Sequence, residues 1–247
     1  MKVINLLEVL GDNVKEEEIV EGMEEEDEHD DEENADENED ENTDKDDMDE
    51  NADTDEHEDN DDIDDDEEVE YDEHVWLSLT NAKILVDSIS DAIQQIDADN
   101  KDVYVKNTDN YLSQLEELDK EYQSEVKGGV KDTILVGDRF PFRYLTDDYD
   151  LKYYAAFVGC SAETEASFET IIFLAGKIDE LNLENVFVTE SSDEKLAQTI
   201  ISNTKEKNQS ILVLDSMQST TKKDIDAGTT YLSVMRKNLE ALKEALQ

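Results

Sequence analysis

Between Glu16 and Glu73 the chain carries 38 acidic residues and a single lysine in 58 positions. The stretch has few aliphatic side chains and no 2.0- or 3.6-residue period. It therefore cannot bury enough apolar surface to offset the entropy of ordering it. The composition predicts a disordered acidic loop over residues 16–73 that divides the foldable chain into a short piece before it and a long piece after it. Most of the net charge of −50 in this 247-residue chain is concentrated there; the other 189 residues carry 33 acidic and 20 basic side chains. That remainder is moderately acidic and long enough for a compact domain plus part of a second.

A charge of this sign excludes generic electrostatic attraction to DNA, RNA or anionic lipid and favours cations and cationic surfaces. One cysteine, Cys160, excludes an internal disulfide framework without fixing the compartment. No run approaches the ~18 apolar residues of a membrane span, and Met1–Leu10 lacks the basic start and small-residue cleavage site of a signal peptide.

Lys2–Leu10 is a short apolar piece closed by Gly11-Asp12, too small to fold alone. After His74, apolar residues at Ile84, Leu85, Ile89, Ala92, Ile93 and Ile96 predict a helix from Asn81 to about Asp97. A second, unusually long helix follows from about Lys101 to Val126, with Tyr104, Tyr111, Leu115, Leu118, Tyr122 and Val126 on one side and Gly128-Gly129 at its end. Such a helix suits a connector between two lobes. From Val130 the pattern changes to short apolar runs alternating with amphipathic stretches, which predicts βα units around a four-stranded parallel sheet. The strands read as 133–137, 153–158, 185–189 and 210–214; the helices read as about 142–149, 163–181, 193–206 and 229–246. Ser191-x-x-Glu194 has the form of a capping box for the third of these helices. The expected fold is thus α/β. Its parts are a remnant of an N-terminal lobe (1–15), the acidic loop (16–73), an N-terminal-lobe segment (74–100), the connector helix (101–127) and a C-terminal α/β lobe (128–247).

Ligands of an open parallel sheet bind at the carboxyl ends of its strands. There Asp138 follows the first run, Glu190 the third and Asp215 the fourth, while the turn after the second, Gly159-Cys160-Ser161-Ala162-Glu163-Thr164-Glu165, is also acidic. A ring of carboxylates suits a cation. The competing reading is that such residues cap helices and meet their dipoles. That reading is preferred for Glu190 and Glu165 and is evenly balanced for Asp138. Asp215 precedes Ser216-Met217-Gln218-Ser219-Thr220, which does not read as a helix start, so its carboxylate has no obvious capping task. Of three histidines, His74 stands where the acidic stretch gives way to Val75-Trp76; His29 and His57 lie among carboxylates, as weak exchangeable cation sites or as incidental residues. No Walker loop, GxGxxG, HExxH, Gly-x-Ser-x-Gly or CxxC is present, so nothing supports catalysis. Cys160 reads as a small buried side chain.

Four segments together resemble the substrate-binding proteins of zinc and manganese ABC importers, the zinc-uptake type. They are Tyr71-Asp72-Glu73-His74-Val75-Trp76-Leu77-Ser78, the long helix, Gly159-Cys160-Ser161-Ala162-Glu163-Thr164-Glu165-Ala166-Ser167, and Leu212-Val213-Leu214-Asp215. The resemblance implies two α/β lobes joined by a rigid helix, holding one zinc or manganese ion between them for delivery to a membrane permease outside the cytoplasm. It implies a monomer with no nucleic-acid partner and no membrane span of its own. His74 matches the histidine of the family's Asp-x-His-x-Trp motif and Asp215 its C-terminal carboxylate ligand. Asp138 is the nearest residue to a further ligand, although counting back from Tyr144 lands on Arg139. The resemblance also implies that the chain corresponds to the C-terminal two thirds of such a protein, opening after a first half-lobe that carries another histidine, through a truncated gene or a misplaced start. The rival readings are an acidic cation-buffering or interaction protein and a nonfunctional fragment.

Overall fold

In the computed structural model, residues 2–24, 70–159, 161 and 165–247 are described. The acidic interior of the chain, with His29 and His57, lies outside them, as do Cys160 and Glu163.

Four strands, β1 (Thr133–Phe140), β2 (Lys152–Val158), β3 (Asn185–Thr189) and β4 (Ser210–Leu214), form a parallel sheet in the order β2-β1-β3-β4. Parallel strands need crossover helices, which cover both faces and explain why the strands read as continuous apolar runs. Alternation along β1 shows the two sides: Ile134 and Val136 face a core with Phe187, Met235, Leu239 and Leu242, whereas Leu135 faces a second core with Leu174, Ile178, Ala197 and Ile200. The second core is supplied by α5 (Phe168–Leu181) and α6 (Lys195–Ser202), the first by α8 (Tyr231–Leu246) together with α3 (Lys101–Gly128). At Gly137 a side chain would begin 3.0 Å from the Ala197 Cα, so glycine is what lets α6 lie against the strand.

The helix α3 has 28 residues, about 42 Å at 1.5 Å per residue. Its second half buries Leu115, Leu118 and Tyr122, and the Tyr122 hydroxyl donates to the Met235 carbonyl of α8. Asp119, also buried, accepts from Lys83 Nζ at 2.9 Å and from the Tyr149 hydroxyl at 3.0 Å, tying α3 to its neighbours. The first half of α3 and the end of α2 (Leu79–Ile96) leave Ile89, Ile93, Ile96, Val103 and Val105 exposed. The short helix α1 (Leu6–Leu10), capped by Asn5, packs Leu10 with Val75, Leu85 and Tyr144.

Several expectations need correction. Residues 16–24 and 70–73, read as part of the disordered loop, are placed and hydrogen-bonded. The Glu17 amide donates to the Glu70 carbonyl, the Asp72 amide to the Lys15 carbonyl and the Glu24 amide to the Ala156 carbonyl of β2. Acidic side chains did not prevent this, because Val20 and Met23 anchor the strap in the core. The strand β1 runs on to Phe140 through a register shift between Val136 and Arg139, so Asp138 lies within it. The Ser191/Glu194 capping box does not form: Glu194 is the N-cap residue of α6, left-handed at φ 62°, with no side-chain cap bond. Capping boxes occur instead at Thr221/Asp224, opening α7 (Lys222–Asp226), and at Thr230/Ser233, opening α8. The helix expected from 163 starts at Phe168, where the Ser167 hydroxyl accepts from the Thr170 amide. The α6 helix ends at Ser202, short of the expected 206. The remaining helix α4 (Arg143–Asp148) lies within its expected span.

Candidate metal centre

His74 precedes a single 3-10 turn, Val75–Leu77, whose Val75 and Leu77 are buried. Trp76 between them is half-buried and reaches the loop after β4, its indole Nε1 donating to the Ser216 carbonyl at 3.0 Å. The Tyr231 hydroxyl of α8 donates in turn to the Trp76 carbonyl at 2.7 Å. The apolar residues after the histidine thus fix its segment against the carboxyl edge of the sheet.

The imidazole is 1% exposed. Asp72 Oδ1 accepts from the His74 amide at 2.8 Å and pairs with its Nδ1 at 2.9 Å. An ionised carboxylate only accepts, so in the neutral imidazole this contact places the proton on Nδ1 and the lone pair on Nε2, where it can accept or ligate. Asp72 is itself held, because the Tyr144 hydroxyl donates to its carbonyl at 2.8 Å. A carboxylate that orients a histidine from behind is the usual outer partner of a metal-binding imidazole. On the other side, a side chain at Gly159 would start 3.0 Å from the His74 Cε1, so the end of β2 packs directly on the ring. Gln218 Nε2 lies 2.5 Å from His74 Nε2.

Asp215 ends β4. The buried Asn238 of α8 holds its backbone at two points, Oδ1 accepting the Asp215 amide and Nδ2 donating to its carbonyl, both at 2.9 Å. Asp215 Oδ1 accepts the Met217 amide at 2.8 Å, a local turn bond that the sequence reading did not foresee. Burial pushes the Asp215 carboxyl above its ordinary range, and the neighbouring charge of Glu190 adds to the shift. Glu190 moves the other way: burial would raise it, but hydrogen bonds from Ser216 and Ser219 outweigh that and hold it below the usual range. Its Oε2 accepts the Ser216 amide at 2.8 Å and its Oε1 the Ser219 hydroxyl at 3.0 Å. Glu190 was read as a helix cap; it instead clamps the loop that follows Asp215.

Asp138 has a structural task. Its Oδ2 accepts the Thr189 hydroxyl at 2.7 Å and the Thr189 amide at 3.2 Å, and its Oδ1 accepts the Arg139 amide at 2.8 Å. Arg139 Nη1 reaches the Ser161 carbonyl at 3.4 Å. Among the described residues no three His, Cys, Asp or Glu side chains are close enough together to hold a metal ion, so His74, Asp138 and Asp215 are not gathered into one set in this conformation. Asp72 and Gln218 are not among the site residues expected from the sequence, and Glu190 is expected there only as a helix cap. Only Asp72 carried a signal, standing two positions before the histidine.

The family described as zinc-uptake complex component A, periplasmic (ZnuA), matches residues 2–245. The chain belongs to the ZnuA family. Among curated relatives of this ZnuA-family chain, the zinc-binding lipoprotein AdcA of Streptococcus pneumoniae strain R6 is 35% identical over 175 residues, 71% of this chain and 34% of the relative. The high-affinity zinc uptake system protein ZnuA of Bacillus subtilis is 33% identical over 175 residues, 71% of this chain and 53% of that protein. The chain thus spans between a third and about half of these relatives. Among solved structures, the metal-dependent lipoprotein YcdH of Bacillus subtilis superposes with a TM-score of 0.62 at 32% identity, covering 72% of this chain and 65% of that one. The Zn(II)-bound ZnuA-like domain of Streptococcus pneumoniae AdcA superposes with a TM-score of 0.59 at 31% identity, covering 71% of this chain and 64% of that one. The α/β fold with its long helix and four-stranded parallel sheet is that of ZnuA-like binding proteins. No helix among the described residues is long and apolar enough to cross a membrane.

Proposed function

We propose that this chain binds one zinc ion through His74 and Asp215 and serves as the extracytoplasmic binding component of an ABC importer, handing the ion to the membrane permease. The observation that carries this is the orientation of His74. Its Nδ1 is tied to a buried carboxylate and its Nε2 lies against the loop that begins at Asp215. Zinc accepts a mixed nitrogen and oxygen set, usually four ligands at about 2.0–2.2 Å, and manganese tolerates the same donor types. Asp138 is proposed as a third ligand, which requires it to leave Thr189. No covalent step is involved: the protein takes up the ion, shields it and releases it to the permease, and it works as a monomer. His29 and His57, with the carboxylates around them, are proposed as weak, exchangeable sites that feed the tight one.

The test is a competition titration of zinc against a chromophoric chelator, with His74→Ala and Asp215→Ala alongside. One tight equivalent that both variants weaken supports the reading. Many weak, salt-sensitive equivalents that neither variant alters would show that only the acidic segment binds ions.

A further inference from the structure

We propose that Tyr144 is a positioning residue for the metal-binding imidazole: its hydroxyl fixes the main chain of Asp72, and Asp72 fixes His74. This rests on the zinc reading above and names a group that acts on the site without touching it. Tyr144 lies in α4 and is buried, its ring packed with Leu10, Val75 and Leu85. Packing accounts for the ring but not for the hydroxyl, since a phenylalanine would make the same apolar contacts. The hydroxyl has two partners: the Lys15 amide donates to it at 2.9 Å, and it donates to the Asp72 carbonyl at 2.8 Å. A phenolic hydroxyl carries one proton, so the incoming amide takes a lone pair and the proton is committed to Asp72.

A third bond closes the ring, the Asp72 amide donating to the Lys15 carbonyl at 2.9 Å. Both main-chain polar groups of Asp72 are thereby held, one by Lys15 directly and the other by Lys15 acting through Tyr144. Lys15 is placed by the same helix, its Nζ pairing with Asp147 of α4 at 2.6 Å. With its backbone pinned, Asp72 presents Oδ1 to the His74 amide and to Nδ1. Without the hydroxyl, the Lys15 amide and the Asp72 carbonyl would lose this partner inside the protein, where their desolvation is then uncompensated. The Asp72 peptide would turn to seek another partner, and the carboxylate that sets the imidazole tautomer would turn with it.

The full chain is used for the test. Tyr144→Phe keeps the ring and removes only the hydroxyl, and chelator competition is expected to show zinc affinity about three- to tenfold lower, the equivalent of one neutral hydrogen bond. In the metal-free chain, above the titration range of histidine, long-range proton–nitrogen correlation spectra report the His74 tautomer, its signals being those missing from His74→Ala. The native chain is expected to hold the proton on Nδ1, and Tyr144→Phe to show a mixture of both tautomers. Tyr149→Phe is the control, because the Tyr149 hydroxyl is also buried but donates to Asp119 of α3. Urea titration should show it destabilised to a similar degree, with zinc affinity and the His74 tautomer as in the native chain. Unchanged affinity or an unchanged tautomer in Tyr144→Phe would overturn the proposal. So would equal losses of affinity in the two tyrosine variants, which would make the effect one of general stability. His74→Ala separates the two readings. If tight zinc binding survives it, the zinc assignment itself fails; if it removes tight binding while Tyr144→Phe changes neither affinity nor tautomer, only the positioning role fails.

Discussion

Asp72 Oδ1 accepts two hydrogen bonds from the same residue, one from the His74 backbone amide and one from its Nδ1–H. The carboxylate therefore fixes both the chain direction at the histidine and the rotation of its ring. Removing it would leave two buried donors unpaired and the ring free to change tautomer. Asp72→Ala is expected to lower zinc affinity by roughly 10- to 100-fold, whereas Asp72→Asn, which keeps an acceptor, should lose less. Chelator competition measures both; equal affinity in Asp72→Ala and the native chain would show that the carboxylate does not act on the metal site.

Asp148 makes stability depend on pH. Burial raises its carboxyl above the usual range, although the Ser78 hydroxyl donates to it at 2.7 Å and the Thr80 amide lies nearby. The folded state therefore holds this proton to a higher pH than the unfolded chain, whose aspartates titrate near about 3.9. Between those two values stability falls as pH rises, and above the folded value the contribution is absent. In urea titrations from pH 3.5 to 7.5, Asp148→Asn should lack this loss, so its stability relative to the native chain should increase with pH. A constant difference across the range would refute the assignment.

Two glycines should respond in opposite directions to alanine. Gly22 sits at φ +86°, and a side chain there would begin 2.1 Å from the Phe173 ring. Gly22→Ala should lower the melting temperature and speed tryptic cleavage after Lys15, the left-handed backbone alone costing about 1–2 kcal/mol. At Gly176, inside α5, an added methyl meets nothing within 4 Å, so Gly176→Ala should stabilise by about 0.5–1 kcal/mol. If Gly22→Ala melted with the native chain, the strap would not be held as described.

The acidic segment should act on rate rather than affinity. Replacing residues 25–69 with a short linker is expected to slow zinc capture at low ionic strength, where fields reach about 30 Å, and to have little effect at physiological salt, where they reach about 8 Å. Stopped-flow association at two salt concentrations measures this. An unchanged rate constant in low salt would remove any capture role.

The second half of the fold was the most legible part of the sequence. The strands β3 and β4 have their expected residues, because a five-residue stretch with an apolar centre between turn signals is long enough for a buried strand and too short for a helix. The extension of β1 was hidden, since Asp138-Arg139 reads as a turn until Thr189 is seen to satisfy the carboxylate. The five-residue helix α7 has no apolar stripe to announce it. Ser191 and Glu194 have the spacing of a capping box, but the left-handed backbone at Glu194 denies the bond. Within the candidate site, His74 was visible from its aromatic neighbours. Asp72 was marked only by its place two positions before that histidine, and Gln218 meets His74 across 144 positions of sequence with no charge to mark it.

Two backbone hydrogen bonds close the root of the acidic segment: the Glu17 amide donates to the Glu70 carbonyl and the Asp72 amide to the Lys15 carbonyl, as in neighbouring extended chains. These bonds use no side chain, so they are indifferent to what lies between them. Doubling the length of the intervening chain would add only about 0.6 kcal/mol of closure entropy. The position is therefore a natural insertion point, where a reporter or a foreign binding peptide can be spliced between residues 24 and 70 while the sheet, the long helix and His74 keep their places.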